Sequence, residues 1–451
     1  MSVSEDFQAP TLRRLDFRGK HLSFSELKGA LPRQSAEYVG SAQRTVDEII
    51  SRVRAEGTDY VRELSAHFDG VKQGALRVPT KALKEAEGSL SAELKQALEV
   101  SIERNRAFAA VQKPAETSIE VAPGAKLINR WTPMRRVGLY VPGGLAVYPS
   151  SVIMNAVPAQ AAGVESIVLC TPPQKEFGGL PHPTILAAAS LLGIEEVWAI
   201  GGAQALASMA YGLNDDGENL EPVDTITGPG NIFVALTKRA LQGVVGVDGE
   251  AGTTEIAVIA DENANANYVA ADLISQAEHD PKAGSVLITD SKAFADRVES
   301  AIAQRASATK HRQRVKEALE GNQSGIILTD SLEHSVQVAN AYAPEHLEIH
   351  TKNPTEIASQ IRNAGAIFIG PYSPVPLGDY AAGSNHVLPT SGTAAFSSGL
   401  NTSTFMKVVQ VIEYTESALA EIGQHIVTLA ADEDLPAHGE AITVRAQEEN
   451  A

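Results

Sequence analysis

Gln276, His279 and Asp379 have side chains that could bind a divalent metal ion. Gln276 and His279 lie three residues apart near the predicted end of a helix, so their side chains can point to one spot. Asp379 is predicted to lie in a proline- and glycine-rich loop after a strand over 366–369. These N and O donors suit zinc, but each residue taken alone is also typical of an ordinary polar surface.

Glu345 and His346 are adjacent and could serve as two bases in one site. A neutral imidazole can take a proton near neutral pH, and a carboxylate can activate water. An exposed pair with Glu345 at a helix cap remains the alternative. Glu433 and His438, in the C-terminal tail, are by themselves typical of a solvated terminus.

Cys170 is the one cysteine of the chain. An internal disulfide and a cysteine-rich zinc site are therefore excluded, and a reducing compartment is favoured. A thiol nucleophile would suit aldehyde oxidation, but no neighbouring residue in the sequence lowers the pKa of Cys170. The sequence favours a buried structural thiol over a nucleophile.

Short apolar strands alternate with helices from Arg136 onward, which predicts parallel, doubly wound sheets. The first set of predicted strands covers 137–141, 166–170, 196–200 and 223–227. The second set covers 255–260, 285–289, 325–329, 347–350 and 366–369. The N-terminal third is predicted to be helical over 45–56 and 89–111, and the tail after Leu400 is predicted to be a helix plus an extended C-terminus.

The sequence therefore predicts an α/β fold with two incomplete Rossmann-like domains, a helical N-terminal region and a small C-terminal extension. We expect the extension to pack on a partner subunit. The predicted divisions are an N-terminal segment over 1–30, a discontinuous α/β domain over 31–136 plus 255–398, a second α/β domain over 137–254 and the extension over 399–451.

Three strands of the first set end in glycine turns: Pro142-Gly143-Gly144, Gly201-Gly202 and Gly228-Pro229-Gly230. Ligands bind at the carboxyl ends of strands in open α/β sheets, and a helix N-terminus offers free N–H groups to an anion. Phe233, however, stands where the dinucleotide fingerprint requires glycine or alanine. Nucleotide binding and plain tight turns are both open on these residues.

The 451 residues include 37 Lys and Arg against 55 Asp and Glu, which gives a formal net charge of −18. This charge argues against non-specific binding to nucleic acid or to an anionic membrane. No apolar run approaches the length of a membrane span. The first ten residues lack the features of a secretory or transit peptide, so we expect a cytoplasmic protein.

Seven segments, taken together and in this order, resemble histidinol dehydrogenases. The segments are 137–144, 201–205, 228–231, 275–279, 343–348, 378–380 with 384–390, and the tail around His438. The resemblance runs from about residue 30 to the end of the chain. One such segment would be weak, whereas seven in register are highly specific.

The resemblance implies a homodimer that oxidises L-histidinol to L-histidine, the last step of histidine biosynthesis. Two hydride transfers to NAD+ would proceed through L-histidinaldehyde. One Zn2+ per subunit would be held by Gln276, His279, Asp379 and His438, with His438 supplied by the partner subunit. Glu345 and His346 would be the bases. NAD would contact Tyr140, Gln204 and Asn231. The substrate would contact Thr254, Gln276, His279, His346, Asp379, Glu433 and His438.

Two features depart from the family pattern. Gly252-Thr253-Thr254-Glu255 lacks the Pro-Ser that the family often has, although Thr254 keeps the hydroxyl. The stretch 214–222 is a local expansion that we predict to be a surface loop.

Three other functions remain open. A relative could oxidise another polar alcohol, or a metal-dependent hydrolase could use Glu345 to activate water. A non-enzymatic binding protein would leave the Glu345-His346 pair unexplained. Manganese or cobalt could also replace zinc at such donors.

Overall fold

The structure, a computed structural model, describes residues 7–33, 37–143, 147–249 and 252–447. Gly144, from the turn predicted after the first strand of the first set, lies outside these ranges. The chain forms two compact units. The first unit is Met1–Gln112 with Met134–Phe405, and the second is Lys113–Pro133 with Met406–Ala451. The contacts therefore group 113–133 with the C-terminal residues.

The strands are numbered in chain order: β1 (Arg14–Asp16), β2 (Thr117–Ala122), β3 (Ala125–Pro133), β4 (Arg136–Tyr140), β5 (Ser166–Thr171), β6 (Glu196–Ala199), β7 (Leu213–Asp215), β8 (Glu218–Leu220), β9 (Thr225–Thr227), β10 (Gly246–Val247), β11 (Glu255–Ala260), β12 (Gly284–Thr289), β13 (Gly325–Leu328), β14 (His346–His350), β15 (Ala366–Ile369) and β16 (Met406–Tyr414).

The α-helices follow the same order: α1 (Phe24–Ala30), α2 (Glu37–Glu56), α3 (Thr58–Leu64), α4 (Thr80–Gly88), α5 (Ala92–Gln112), α6 (Pro149–Ala162), α7 (Pro183–Leu191), α8 (Gly202–Tyr211), α9 (Ile232–Leu241), α10 (Ala266–Ala277), α11 (Lys292–Ala306), α12 (Arg312–Glu320), α13 (Leu332–Tyr342), α14 (Pro354–Ala358), α15 (Val375–Tyr380), α16 (Glu416–Asp432) and α17 (Pro436–Gln447). A π-helical turn covers Ser65–Asp69.

One sheet has six parallel strands in the order β1-β13-β12-β11-β14-β15. Its five predicted strands are confirmed, with ends that differ from the prediction by at most one residue. β1 comes from the predicted N-terminal segment and pairs with β13 at the edge. The direction of strand addition changes between β11 and β14, which makes this pair the topological switch point of the sheet.

The other large sheet has five parallel strands in the order β10-β9-β4-β5-β6. The four predicted strands of the first set are confirmed, and β10 adds an edge. Helix α2 packs on one face through Val46, Ile49 and Val53, which recur every three or four residues. α2 ends before Gly57, whose φ of 61° suits glycine. The prediction of doubly wound parallel α/β architecture is therefore confirmed.

The second unit contains a three-stranded antiparallel sheet in the order β16-β3-β2, followed by α16 and α17. The prediction for the tail, a helix plus an extended C-terminus, is wrong because the tail begins with β16 and ends in two helices. β16 pairs with β3 over its whole length. Pairing between strands so far apart in the sequence leaves no local signal.

The expansion over 214–222 is a hairpin of β7 and β8 and not a simple surface loop. Asp216 and Gly217 form its turn and are exposed with positive φ. Asp215 is buried, where it binds Arg62 at 2.5 Å and accepts from the backbone N–H of Leu76 at 2.6 Å. The surface-loop prediction is therefore correct for the turn and wrong for the strands. Among the described residues, no helix has the length and apolar character needed to cross a bilayer.

Candidate active site

His346, the first residue of β14, has a fixed tautomer. Its Nδ1 lies 3.1 Å from the backbone carbonyl oxygen of Glu255. A carbonyl oxygen can only accept, so Nδ1 donates its hydrogen and Nε2 keeps a lone pair. Within the described chain, this Nε2 is buried without a hydrogen-bond partner, and it lies 3.9 Å from an oxygen of Asp379. A buried lone pair without a donor is ready to receive a proton.

Glu345 lies beside this imidazole and is also buried, so the alternative of an exposed surface pair is wrong. Its Oε2 accepts the hydroxyl hydrogen of Thr254 at 2.5 Å and the backbone N–H of Glu255 at 2.9 Å. Burial raises the pKa of Glu345, while the neighbouring His346 and these hydrogen bonds oppose the rise. A carboxyl group with a raised pKa is a stronger base once it is ionised.

Gln276 lies in the last turn of α10 and presents an unpartnered oxygen. Its Nε2 donates to the hydroxyl oxygen of Thr254 at 2.6 Å, which fixes the orientation of the amide. Its Oε1 is buried and has no hydrogen-bond partner within the described chain. An unpartnered buried acceptor is costly, and a bound cation would compensate for it.

His279 follows α10, with its backbone N–H bound to the carbonyl of Gln276 at 3.3 Å. Burial lowers the pKa of His279, and the nearby charge of Asp379 opposes this shift. A lowered pKa favours the neutral imidazole, which is the form that binds metals.

Asp379 does not lie in a long loop as predicted, because Val375–Tyr380 forms the short helix α15. Proline in the first turn of a helix is compatible with helical geometry, and here Pro374 is the N-cap and Pro376 follows within the first turn. His386 holds this helix, since its Nδ1 donates to the carbonyl of Asp379 at 3.0 Å. The Nε2 of His386 lies 3.1 Å from the hydroxyl of Ser151 on α6.

These residues lie at the amino ends of β11 and β14, the switch point of the six-stranded sheet. α10 runs back antiparallel to the strands, so Gln276 in its last turn reaches the same edge. Open α/β sheets ordinarily bind ligands at the opposite, carboxyl edge. Strand order alone therefore does not locate this site.

The resemblance assigns three residues at the carboxyl edge of the five-stranded sheet to NAD. Tyr140 is the last residue of β4, whereas Gln204 and Asn231 follow β6 and β9. The hydroxyl oxygen of Tyr140 accepts the backbone N–H of Gly202 at 3.0 Å, and burial raises the pKa of Tyr140 to about 12. Gln204 is buried in the first turn of α8. Asn231 caps α9, where its side-chain oxygen accepts from the backbone N–H groups of Phe233 and Val234.

Sequence reasoning missed a buried ion pair that fixes the nearby glycine turn. Gly228 has a φ of 122°, and a Cβ there would lie 2.0 Å from the carbonyl oxygen of Tyr140, so only glycine fits. Lys238 donates to the carbonyl of Gly228 and to Asp248, and Asp248 accepts the Gly228 backbone N–H at 2.9 Å. The apolar pattern of α9 gives no indication that Lys238 points inward.

A second group missed from the sequence is Asp272, Glu348 and His350, all of them buried. One donor atom from each lies within 4.8 Å of the other two, so they could also hold a metal ion. The sequence signal that could have indicated this group is the alternation of polar and apolar residues along β14.

Cys170 is fully buried, and burial raises its pKa well above the usual thiol range. A protonated, inaccessible thiol is not a nucleophile, so the interpretation as a structural cysteine is confirmed.

The structure brings Thr254, Gln276, His279, Glu345, His346 and Asp379 together. Glu433 and His438 belong to the second unit, where Glu433 is the C-cap of α16 and His438 lies in the first turn of α17. Both side chains are exposed. Their assignment to substrate and metal stays a prediction.

Two parallel sheets with glycine turns on one and a buried base beside N and O donors on the other define an α/β enzyme with acid–base chemistry. The family model described as histidinol dehydrogenase matches residues 32–446. The chain belongs to the histidinol dehydrogenase family.

Sequence and structure comparisons agree with this membership. A histidinol dehydrogenase of Mycobacterium bovis is 54% identical over 437 residues, which cover 97% of this chain and 98% of the relative. One of Corynebacterium glutamicum is 55% identical over 430 residues, with 95% and 97% covered. The crystal structure of the histidinol dehydrogenase of Elizabethkingia anophelis superposes with a TM-score of 0.90 at 33% identity, covering 98% of this chain and 99% of the other.

Proposed function

We propose that the protein oxidises L-histidinol to L-histidine through L-histidinaldehyde and reduces two NAD+ to NADH. Membership of the histidinol dehydrogenase family supports the substrate and the cofactor. The observation that carries the chemistry is the unpartnered Nε2 of His346 beside the buried carboxylate of Glu345. Both oxidations release a proton, and these two groups can receive one each.

In the first oxidation the substrate hydroxyl loses its proton to Nε2 of His346. The carbon–hydrogen bond breaks with its electron pair, and the hydride reduces NAD+ to NADH. The hydrogen bond from Nδ1 to the Glu255 carbonyl persists, and it stabilises the imidazolium that forms. The products are the aldehyde, NADH and one proton held on His346.

In the second oxidation a water adds to the aldehyde carbon, and Glu345 takes a proton from that water. The hydrogen bonds of Glu345 within the described chain end on Oε2, which leaves Oε1 for the water. Loss of that proton leaves the hydrate as its monoanion, which transfers a hydride to a second NAD+ and becomes the carboxylic acid. Water and two NAD+ are thus consumed, and every proton released has an acceptor.

The donors Gln276, His279 and Asp379 fit a divalent cation, because the Oε1 of Gln276 is unpartnered in the described chain and the lowered pKa of His279 favours its neutral imidazole. We assign them to Zn2+, together with His438 of the partner subunit in a homodimer. When bound, zinc would act as a Lewis acid that holds the substrate imidazole and amine. Thr254 orients Gln276, and Glu433 of the partner subunit would bind the substrate.

NAD is assigned to the carboxyl edge of the five-stranded sheet, with contacts to Tyr140, Gln204 and Asn231. The positive end of the α9 helix dipole, at its N-terminus, favours an anion there. Because Asn231 uses its side-chain oxygen as a cap, its amide N–H2 is the group available for the nucleotide.

The test measures NADH formed per L-histidinol consumed, before chelation, after chelation and after zinc is restored. We expect two NADH per histidinol. We also expect NADH formation to stop when the metal is chelated and to return when zinc is restored. A ratio of one, or no NADH with histidinol, would refute the proposal. Alcohols lacking either the imidazole or the amine should react far more slowly, and equal rates would favour an oxidase of other polar alcohols. Ester cleavage without NAD would favour the hydrolase alternative.

A further inference from the structure

β14 carries three polar side chains on one face, and all of them are buried. His346, Glu348 and His350 alternate with Leu347 and Ile349, a pattern that ordinarily indicates a strand with one face in water. β14 instead lies between β11 and β15, and all of its residues are buried. Glu348 has 0% exposure, so its charge must be compensated inside the protein.

Glu348 is compensated by groups from two other elements as well as from its own strand. Its Oε1 accepts the backbone N–H of Val375, the first residue of α15, at 2.9 Å. Its Oε2 accepts Nε2–H of His350 at 3.1 Å. Asp272 on α10 completes the group, with an oxygen 3.9 Å from the same nitrogen of His350.

Asp272, Val375 and Glu348 itself each lie one helical turn, or one alternation of the strand, from a residue of the active site. Asp272 precedes Gln276 by four residues on α10, and Val375 precedes Asp379 by four residues on α15. Residues four apart share one face of a helix. Glu348 follows His346 by two residues on the same face of β14. One carboxylate therefore connects the three elements that carry Gln276, Asp379 and His346.

One carboxyl oxygen of Asp272 and one of Glu348 lie within 4.8 Å of each other in a buried place, where a neighbouring negative charge disfavours ionisation of Asp272. Burial, the charge of Glu348 and a hydrogen bond with Glu348 raise the pKa of Asp272 above its ordinary value. Both oxygens of Glu348 already accept hydrogen bonds, from the backbone N–H of Val375 and from His350, so Glu348 is the acceptor of the group. The proton between the two carboxyl groups therefore belongs to Asp272.

We propose that Glu348 is a positioning residue that fixes α10, α15 and β14 at the active site, and that protonated Asp272 donates to it. The inference rests on the proposed function, since Gln276, Asp379 and His346 are the residues that it positions. The competing interpretation is a metal site at Asp272, Glu348 and His350. That site would need Asp272 ionised and Nε2 of His350 without hydrogen.

Three variants of the full-length protein separate these interpretations. Asp272→Asn keeps an N–H donor toward Glu348, so it should keep wild-type zinc affinity and melting temperature. Asp272→Leu removes the hydrogen-bond donor to Glu348. Glu348→Gln replaces an acceptor oxygen by an amide N–H2, which cannot accept from the N–H groups of Val375 or His350. Both changes should weaken the binding of zinc about 10–100-fold, which is the usual effect of losing a group that orients metal ligands. Asp215→Asn is the matched control, because Asp215 is also a buried carboxylate but lies on β7, which is not part of the six-stranded sheet.

Zinc per chain, zinc affinity by competition with a chelator, and melting temperature are the readouts. Asp215→Asn should lower the melting temperature and leave zinc affinity unchanged. If Glu348→Gln fails to fold, the difference in zinc affinity between Asp272→Asn and Asp272→Leu tests the proposal instead.

The proposal is overturned when Asp272→Asn is as impaired as Asp272→Leu, or when Glu348→Gln binds zinc like wild type. Two zinc ions per wild-type chain that fall to one in Asp272→Asn would instead show a metal site and also overturn it. Failure of wild type to reduce NAD+ with histidinol refutes the proposed function separately. In that case the melting temperatures of Asp272→Asn and Asp272→Leu still show whether a hydrogen-bond donor at position 272 stabilises the protein, independently of zinc and activity.

Discussion

Gln276 donates its amide N–H to the hydroxyl oxygen of Thr254 over 2.6 Å. The same hydroxyl donates its own hydrogen to Glu345 over 2.5 Å. Thr254 thus joins a proposed zinc ligand to a proposed base, and it fixes the direction of both hydrogen bonds. This finding gives Thr254 a role between two protein groups, in addition to the substrate contact that the family resemblance implies.

Thr254→Val removes the hydroxyl and keeps the shape of the side chain. We expect weaker zinc binding, because the amide of Gln276 loses the acceptor that orients it. The pKa of Glu345 should rise further, because the Thr254 hydrogen bond lowers it. The acidic limb of the second oxidation should therefore move to higher pH, since Glu345 must be ionised to act. Rates measured from histidinaldehyde across pH check this.

Thr254→Ser is the matched control for this prediction, since it restores the hydroxyl on a smaller side chain. It should keep both zinc affinity and the wild-type pH profile. A valine variant with an unchanged acidic limb would contradict the coupling of Thr254 to Glu345.

Much of the fold could be predicted from local patterns. Short apolar runs between glycine turns gave nine of the eleven strands of the two parallel sheets, all but the edge strands β1 and β10, and three-to-four-residue spacing gave the C-terminal part of α2. The strands β2, β3 and β16 could not be predicted, because they lack the continuous buried apolar runs of the parallel sheets: β2 and β16 are mostly exposed, and β3 is mostly half-buried. Their pairing also joins segments that lie before and after residues 134–405 in the sequence, and no local window contains both.

The site was only partly visible in the sequence. Adjacency identified Glu345 and His346, but burial and tautomer depend on pairing of β14 with β11, where Glu255 supplies both a donor and an acceptor. Pro374 and Pro376 suggested a loop around Asp379, although proline also fits the first turn of a helix. These differences arise from tertiary contacts that residue types alone do not specify.

Glu345→Gln should stall the second oxidation more than the first. Glutamine keeps the size of the side chain and removes the base that activates water, a loss of about 10²–10⁴-fold in such steps. The first oxidation relies on Nε2 of His346, which this change leaves in place. Rapid-quench measurement should show accumulation of the aldehyde or its hydrate with one NADH formed per substrate.

His346→Gln provides the comparison, because it removes the proton acceptor used in the first oxidation. It should slow oxidation of histidinol from the first hydride transfer, without accumulation of aldehyde. Equal losses in both half-reactions of Glu345→Gln would count against the assigned role of Glu345.

Lys238→Met should impair use of NAD+ more than binding of zinc. It removes the buried partner of Asp248 and the donor to the Gly228 carbonyl. Leaving one charge of a buried pair unpaired costs about 3–5 kcal/mol. We expect a lower melting temperature and a higher KM for NAD+, with zinc per chain unchanged. Arg239→Met changes a neighbouring cation on the exposed side of α9, so it serves as control. Equal KM values in the two variants would contradict a role for the Gly228 turn in cofactor binding.

Asp69→Asn should stabilise the protein at neutral pH and have little effect in acid. Burial raises the pKa of Asp69 to about 6, and its Oδ2 is buried without a partner in the described chain. Between the unfolded pKa of about 4 and the folded value, the native state binds a proton that the unfolded state has released. The contribution of Asp69 to stability therefore falls as pH rises through this window.

The difference in free energy of unfolding between Asp69→Asn and wild type should accordingly grow from pH 4 to pH 7 and then stay level. Urea denaturation at several pH values measures this difference, and subtraction removes the titration of groups common to both proteins. Asp59→Asn is the control, because the side chain of Asp59 is 95% exposed. A difference that is constant over this range would show that Asp69 does not release its proton on unfolding.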